Sequence, residues 1–312
     1  MNPNKLSSQL EGQIEEKNIV DGETNSQVHN ILQMESRNLD YQKVTEKIVT
    51  QLQNYLQESK QNGFTVWVSG WIDSAVVSTL SAMSGAKTLV MDLPIHQKSD
   101  EVNRASDHMN WLQENFPNVE RKSMDLTNVF EAFKEAFPEV ENEQGRYMAE
   151  VNTRSRLRAN ALYAQGNEKW YLVVGTGNKV EDYGIGFFTK FGDGAVDLSP
   201  IGNLYKSEVY ALAKHLGIIP SILWARPTDG LHPDGATDED QIWATYDELE
   251  WAMETYDEYK MYLAENYTSM WNTELNSLIN SFSWRAKEVM EIYSHRHNIN
   301  EHKMKMPPVF EI

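Results

Sequence analysis

An apolar, β-branched run at residues 64–68 meets an apolar helical run at residues 75–83 across a short loop. The loop holds Ser69, Gly70, Trp71, Asp73 and Ser74. A buried strand feeding a helix through small residues constrains the chain strongly. It fits a βα crossover, and it leaves backbone N–H groups and the positive helix end converging on one point, a physical recipe for holding phosphate. Ser69 and Ser74 add hydroxyl donors, and Asp73 can hold a divalent cation against phosphate oxygens.

The flanking sequence predicts the same architecture. Val44, Ile48, Leu52, Tyr55 and Leu56 have helical spacing, and Asn62-Gly63 ends that helix. Apolar runs near 88–93, 119–124 and 170–174 predict further strands, with helices near 99–115 and 127–136 between them. Strands alternating with helices at this spacing predict an α/β fold with a doubly wound parallel sheet. In such a sheet the ligand lies at the carboxyl ends of the strands, where residues 69–74 fall. The polar stretch 139–150 is expected to be a loop, followed by a helix over 151–164. Arg154 and Arg158 share one face of that helix by their i,i+4 spacing, while Arg156 points elsewhere. A Gly-Thr-Gly-Asn-Lys turn follows at 175–179, then a glycine-punctuated loop at 187–194 and a helix over 206–216. Residues 227–240 are expected to form a mobile loop, with helices after it. Residues 1–40 are expected to be a weakly ordered acidic extension, and 41–312 a single domain.

With 46 acidic against 28 basic residues, the chain carries a net charge of −18, which repels nucleic acid at long range. It has no apolar run of membrane-spanning length and no signal-peptide core, so neither a membrane nor a nucleic acid is expected as partner, and the cytoplasm is the expected location. The absence of Cys excludes disulfides, thiolate metal sites and Cys nucleophiles.

The loop resembles the SGGxDS pyrophosphate motif of the ATP pyrophosphatases. The blocks VSGWIDSAVVSTL, LPIHQ, NTRSRLR, VVGTGNKVED, GFFTKFGDGAVDLSPIGNLYKSEVYALA, PTDGL and EHKMKMPP follow in order. Together they resemble ammonia-dependent NAD synthetase, a family with a Rossmann-like fold. The resemblance implies adenylation of the nicotinate carboxylate of deamido-NAD by ATP with Mg²⁺, then displacement of AMP by ammonia. It also implies a homodimer. Ser69, Gly70, Asp73, Ser74, Thr176, Lys206 and Thr228 would contact ATP, and Asp73 and Glu181 would hold Mg²⁺. Arg156, Lys190, Asp197, His302 and Lys303 would contact deamido-NAD. The catalytic set would be Asp73, Lys190 and Asp193, with Asp193 beside the ammonia site.

Two other readings stand beside this one. The chain could adenylate a different substrate, or it could bind nucleotide without turnover because of Trp71. The family pattern leads one to expect Gly at Trp67, Trp71 and Trp243. Trp71 in a phosphate cradle would keep backbone N–H groups from the ligand and would strain a φ > 0 backbone. One shared codon, UGA read as glycine, would account for all three positions.

Overall fold

The computed structural model describes residues 37–137, 142–225, 237–266, 271–282 and 284–311. Thr228 and most of the expected N-terminal extension and mobile loop lie outside the described residues. The chain divides into two compact units. One comprises residues 37–241 and 302–312, the other residues 242–301.

The first unit is built on a parallel four-stranded sheet of order β3-β2-β1-β4. Its strands are β1 (Gly63–Trp67), β2 (Lys87–Asp92), β3 (Val119–Ser123) and β4 (Tyr171–Val174). Central strand β1 pairs Thr65 with Leu89 on one side and with Val173 on the other. Because strand side chains alternate, β1 feeds two cores. Phe64 and Val66 pack with helices α1 (Tyr41–Ser59), α2 (Ile72–Met83) and, later in the chain, the helix Lys206–His215. Trp67 faces the other core, formed by Met91, Val173, Phe130 and Leu162. Those last two residues lie on α4 (Thr127–Glu135) and α5 (Glu143–Lys169), while α3 (Ser99–Asn115) supplies Ala105, Met109 and Leu112 to a third cluster around Val90. The sheet is therefore parallel and covered by helices on both faces, as the alternation predicts.

Helix α5 begins eight residues before its expected start, and this corrects the reading of 143–150 as loop. Asn142 caps it, its side-chain oxygen accepting from the Gln144 and Gly145 amides at 3.0 and 3.3 Å. This first part is exposed or half-buried, so it shows no apolar periodicity to read. Downstream, α6 (Lys206–His215) turns Val209, Leu212 and Ala213 into the core, and a short helix α7 (Pro220–Leu223) follows.

A buried histidine sits between α2 and α3. His108 is fully enclosed, stacks on Trp111 and has Nε2 3.0 Å from Ser78 Oγ. Burial pushes its pKa down from the ordinary 6.5 to about 4. The unfolded chain then takes up a proton between these values that the folded protein refuses, so stability is lost as pH falls from 6.5 towards 4. A shift of this size corresponds to about 3 kcal/mol at full swing. Urea unfolding across that window should show His108→Gln losing less stability on acidification than the parent; parallel pH profiles would refute the assignment.

The second unit contains the helices α9 (Tyr246–Asn266) and α10 (Trp271–Ser281) and, up to residue 301, α11 (Trp284–Met304). Tyr293 and His297 stack at 5.8 Å, and Tyr256 packs against both. Arg285 Nε donates to Glu248 Oε1 at 2.7 Å, and Nη2 to Oε2 at 2.8 Å. Helix α8 (Asp238–Ile242) spans the boundary between the units in sequence.

Candidate active site

The loop after β1 is shaped by Gly70, not by position 71. Gly70 has φ +85, and a Cβ there would lie 2.6 Å from Glu101 O, so no other residue fits. Trp71 is the N-cap of α2 with φ −112 and ψ 164, an extended backbone that any residue adopts. The expected backbone strain at Trp71 is therefore absent. Its indole lies against Arg104, whose guanidinium carbon is 4.3 Å from the ring centroid. The hydroxyls are drawn together beneath it: Ser69 Oγ donates to Ser74 Oγ at 3.0 Å, and Ser74 Oγ donates to Trp71 O at 2.9 Å.

Asp73 lies in the first turn of α2, where the helix end favours negative charge. Its Oδ2 accepts from Lys206 Nζ at 2.6 Å and its Oδ1 from Asn178 Nδ2 at 3.1 Å. The same Lys206 Nζ donates to Glu181 Oε1 at 2.9 Å. Three residues far apart in sequence thus meet at one buried point. Burial opposes the Lys206 charge, but the Asp73 and Glu181 carboxylates outweigh it and hold the ammonium well above its ordinary pKa. Burial raises the Asp73 carboxyl, and Lys206 offsets part of that rise.

Glu181 is positioned by a π-helical segment, Lys179–Ile185. Asn178 caps it, accepting from the Val180 and Glu181 amides at 3.1 Å each. Gly177 leaves room for the Asp182 carboxylate, which would have to shift to admit a Cβ there. Enclosure, with Asp193, Glu181 and Asp73 adding repulsion, raises the Asp182 carboxyl well above its usual range.

Asp193 is held in its turn by Ser155. Ser155 Oγ donates to Asp193 Oδ1 at 2.6 Å and accepts from the Asp193 amide at 2.8 Å. Thr176, Asp193, Ser155, Arg158 and Trp67 line one cleft at the end of the sheet. Beside it, Arg156 Nε donates to Lys190 O at 3.3 Å, Lys190 Nζ to His302 O, and Lys303 Nζ to Phe188 O at 2.8 Å. Asp197 stands apart from the Asp73 set. Its carboxylate accepts from the Val173 amide at 2.7 Å and from Tyr163 Oη at 3.2 Å, which ties it to β4.

Asn178, Asp182 and Ser155 join the site without a motif of their own, and Arg158, expected only to share a helix face with Arg154, does not lie on a solvated face. Arg158 is buried, donating to Leu93 O at 2.9 Å and to Gln97 Oε1 at 2.6 Å, and burial brings its pKa down to about 10. An Asn before a polar helix start is a capping signal, so Asn178 was findable. The others depend on tertiary packing that spacing does not reveal.

Residues 44–307 match the family model described as NAD synthase. The chain belongs to the NAD synthase family. Among curated relatives, the NH(3)-dependent NAD(+) synthetase of Methanosarcina acetivorans is 31% identical over 88% of this chain and 100% of its own. That of Thermococcus sibiricus is 36% identical over 87% of this chain and 98% of its own. Among solved structures, the NMN synthetase of Francisella tularensis aligns with TM-score 0.70 and 28% identity, covering 88% of this chain and all of that one. The NH3-dependent NAD synthetase of Campylobacter jejuni aligns with TM-score 0.65 and 24% identity over the same shares, a likeness of fold.

The family resemblance implies Mg²⁺ with the ATP, and the donor set fits the cation. Asp73 and Glu181 converge on a single positive charge, and Mg²⁺ is commonly held by one or two carboxylates with phosphates completing its shell.

Proposed function

We infer that this chain is an ammonia-dependent NAD⁺ synthetase. The observation that carries the reading is the meeting of Asp73, from the Ser69–Ser74 stretch, and Glu181 on Lys206, in a member of the NAD synthase family. An oxygen of the nicotinate carboxylate of deamido-NAD attacks the α-phosphorus of ATP, and pyrophosphate leaves. Ammonia then attacks the acyl carbon, AMP leaves, and the nitrogen gives up a proton. Lys206 and the N-terminus of α2 neutralise the triphosphate, while Asp73 and Glu181 would hold Mg²⁺, which supplies further charge neutralisation. Thr176 and Thr228 are assigned to ATP, and Arg156, Lys190, Asp197, His302 and Lys303 to deamido-NAD. Asp193, held by Ser155 in the cleft beside Thr176, is assigned to bind ammonium and accept its proton.

Incubation with deamido-NAD, MgATP and ammonium should yield NAD⁺ by mass spectrometry, with one pyrophosphate per NAD⁺. Pyrophosphate release independent of deamido-NAD would refute the reading. Nicotinate mononucleotide belongs in the same assay, given the NMN synthetase among the similar structures; the identities of the curated relatives favour the dinucleotide.

Glutamine as sole nitrogen source should give no product in a glutaminase-free preparation, because no thiol exists to attack its amide. Turnover with glutamine would overturn this.

We also propose a homodimer. Helix α6 turns Val209, Leu212 and Ala213 into its own core, and the exposed apolar groups include Val129, Phe133 and Phe137 at α4 and Met148 on α5. Phe133 and Phe137 pack edge to face at 4.9 Å. Light scattering should give twice the 35.9 kDa chain mass, and Phe133→Asp should shift it towards monomer. A parent protein that is monomeric at micromolar concentration would refute the proposal.

A further inference from the structure

Six non-glycine residues among those described have positive φ, and three of them are tryptophans: Trp170 (φ 61), Trp243 (φ 69) and Trp284 (φ 52). The whole chain contains nine tryptophans. The left-handed region is uncommon for any residue with a Cβ and an outlier for a bulky one. Burial does not explain the choice either, since Trp170, Trp243 and Trp284 are 68%, 74% and 90% exposed.

Two of the positions share a setting, the residue that follows a helix. Trp170 closes α5 in a left-handed cap, its amide bonding back to Asn167 O and Gly166 O. Trp243 directly follows α8, whereas Trp284 is the first residue of α11. The chain's own glycines occupy the same kind of position. Gly85 (φ 77) and Gly217 (φ 69) follow helices α2 and α6, and Gly186 (φ 62) caps the π-helical segment. A left-handed cap after a helix is the characteristic place of glycine.

Other tryptophans behave as indoles should. Trp111 stacks on His108 at 5.6 Å and meets Phe116 edge on, and Trp251 meets Phe282 edge on at 5.4 Å. Among the described tryptophans, Trp111 and Trp251 are packed through their rings, Trp224 is exposed on an ordinary backbone, and Trp170, Trp243 and Trp284 are exposed on a backbone that disfavours a bulky side chain.

We propose that Trp170, Trp243 and Trp284 are glycines in the functional protein, their codons being UGA read as glycine by the host and written as tryptophan by a different code. This inference rests on backbone geometry and is independent of the catalytic assignment. It also carries a consequence for the phosphate loop. At Trp71 the backbone is extended and does not decide the residue, so the codon must. If Trp67 and Trp71 share the UGA codon, the loop carries two consecutive glycines with amides open to phosphate, and the cleft lined by Trp67 loses an indole.

The gene and the protein purified from its natural host test this directly. UGA at positions 170, 243 and 284, UGG at 111 and 251, and peptides with glycine masses at the first three are expected. UGG codons there, or tryptophan-containing peptides across them, would overturn the proposal. Recombinant protein gives a second test. Trp170→Gly, Trp243→Gly and Trp284→Gly should each raise the thermal midpoint, by about 2–4 °C per position. Trp111→Gly and Trp251→Gly should lower it. A fall in midpoint for all three left-handed positions would count against the proposal.

Discussion

Asp73→Asn should lower the rate of pyrophosphate release by a factor of ~10²–10³, the usual loss when one charge-stabilising group is removed from a preorganised site. The geometry explains why so small a change matters. Asp73 accepts two hydrogen bonds at once, from Lys206 Nζ and Asn178 Nδ2. An amide turns one acceptor into a donor, so one of those partners must face N–H against N–H. The site also loses one of the two negative charges that converge on Lys206. Glu181→Gln removes the other and should fall in the same range. Because both act on the metal-bound nucleotide, kcat should drop with a higher Mg²⁺ requirement, while the affinity for deamido-NAD should stay nearly unchanged. Pyrophosphate release at the parental rate in either variant would remove that residue from the metal site.

The sheet and the phosphate loop were legible because their signal is local. A β-branched run, a small-residue loop and an apolar helix lie within twenty-one residues, Gly63 to Met83, and the structure places them as β1, loop and α2. Glu181 and Lys206 could be nominated only through the family resemblance. Their partnership depends on a π-helical turn and on α6 entering from the far side of a core, and neither leaves a periodic trace in sequence. Arg158 shows the limit from the other direction. Its spacing from Arg154 reads as a solvated face, yet its guanidinium is buried on Leu93 O and Gln97 because α5 packs flat on the sheet. Trp71 was expected to strain the loop. The structure assigns that sensitivity to its neighbour Gly70, because there the backbone has positive φ and a Cβ would fall 2.6 Å from Glu101 O.

Lys206→Met should strongly destabilise the first unit. Methionine keeps the length and much of the volume of lysine but removes the ammonium, leaving Asp73 and Glu181 facing each other without a counter-charge. Lys206 and Asp73 are 3% and 8% exposed, so water cannot take over the role of the lost cation. Breaking a buried pair by deleting one partner typically costs about 3–5 kcal/mol, more than the intact pair contributes, because the surviving charge stays desolvated. Denaturant unfolding should therefore show a lower midpoint at unchanged slope. A loss under about 1 kcal/mol, the scale of an exposed pair, would mean that the three groups are not coupled as the distances imply. Magnesium provides the decisive comparison. With Lys206 removed, the two carboxylates present their charge to any cation that fits, so millimolar Mg²⁺ should restore more stability to the variant than it adds to the parent. An equal response would show that Asp73 and Glu181 do not share a cation, and would leave Lys206 as a structural tether between α2 and α6.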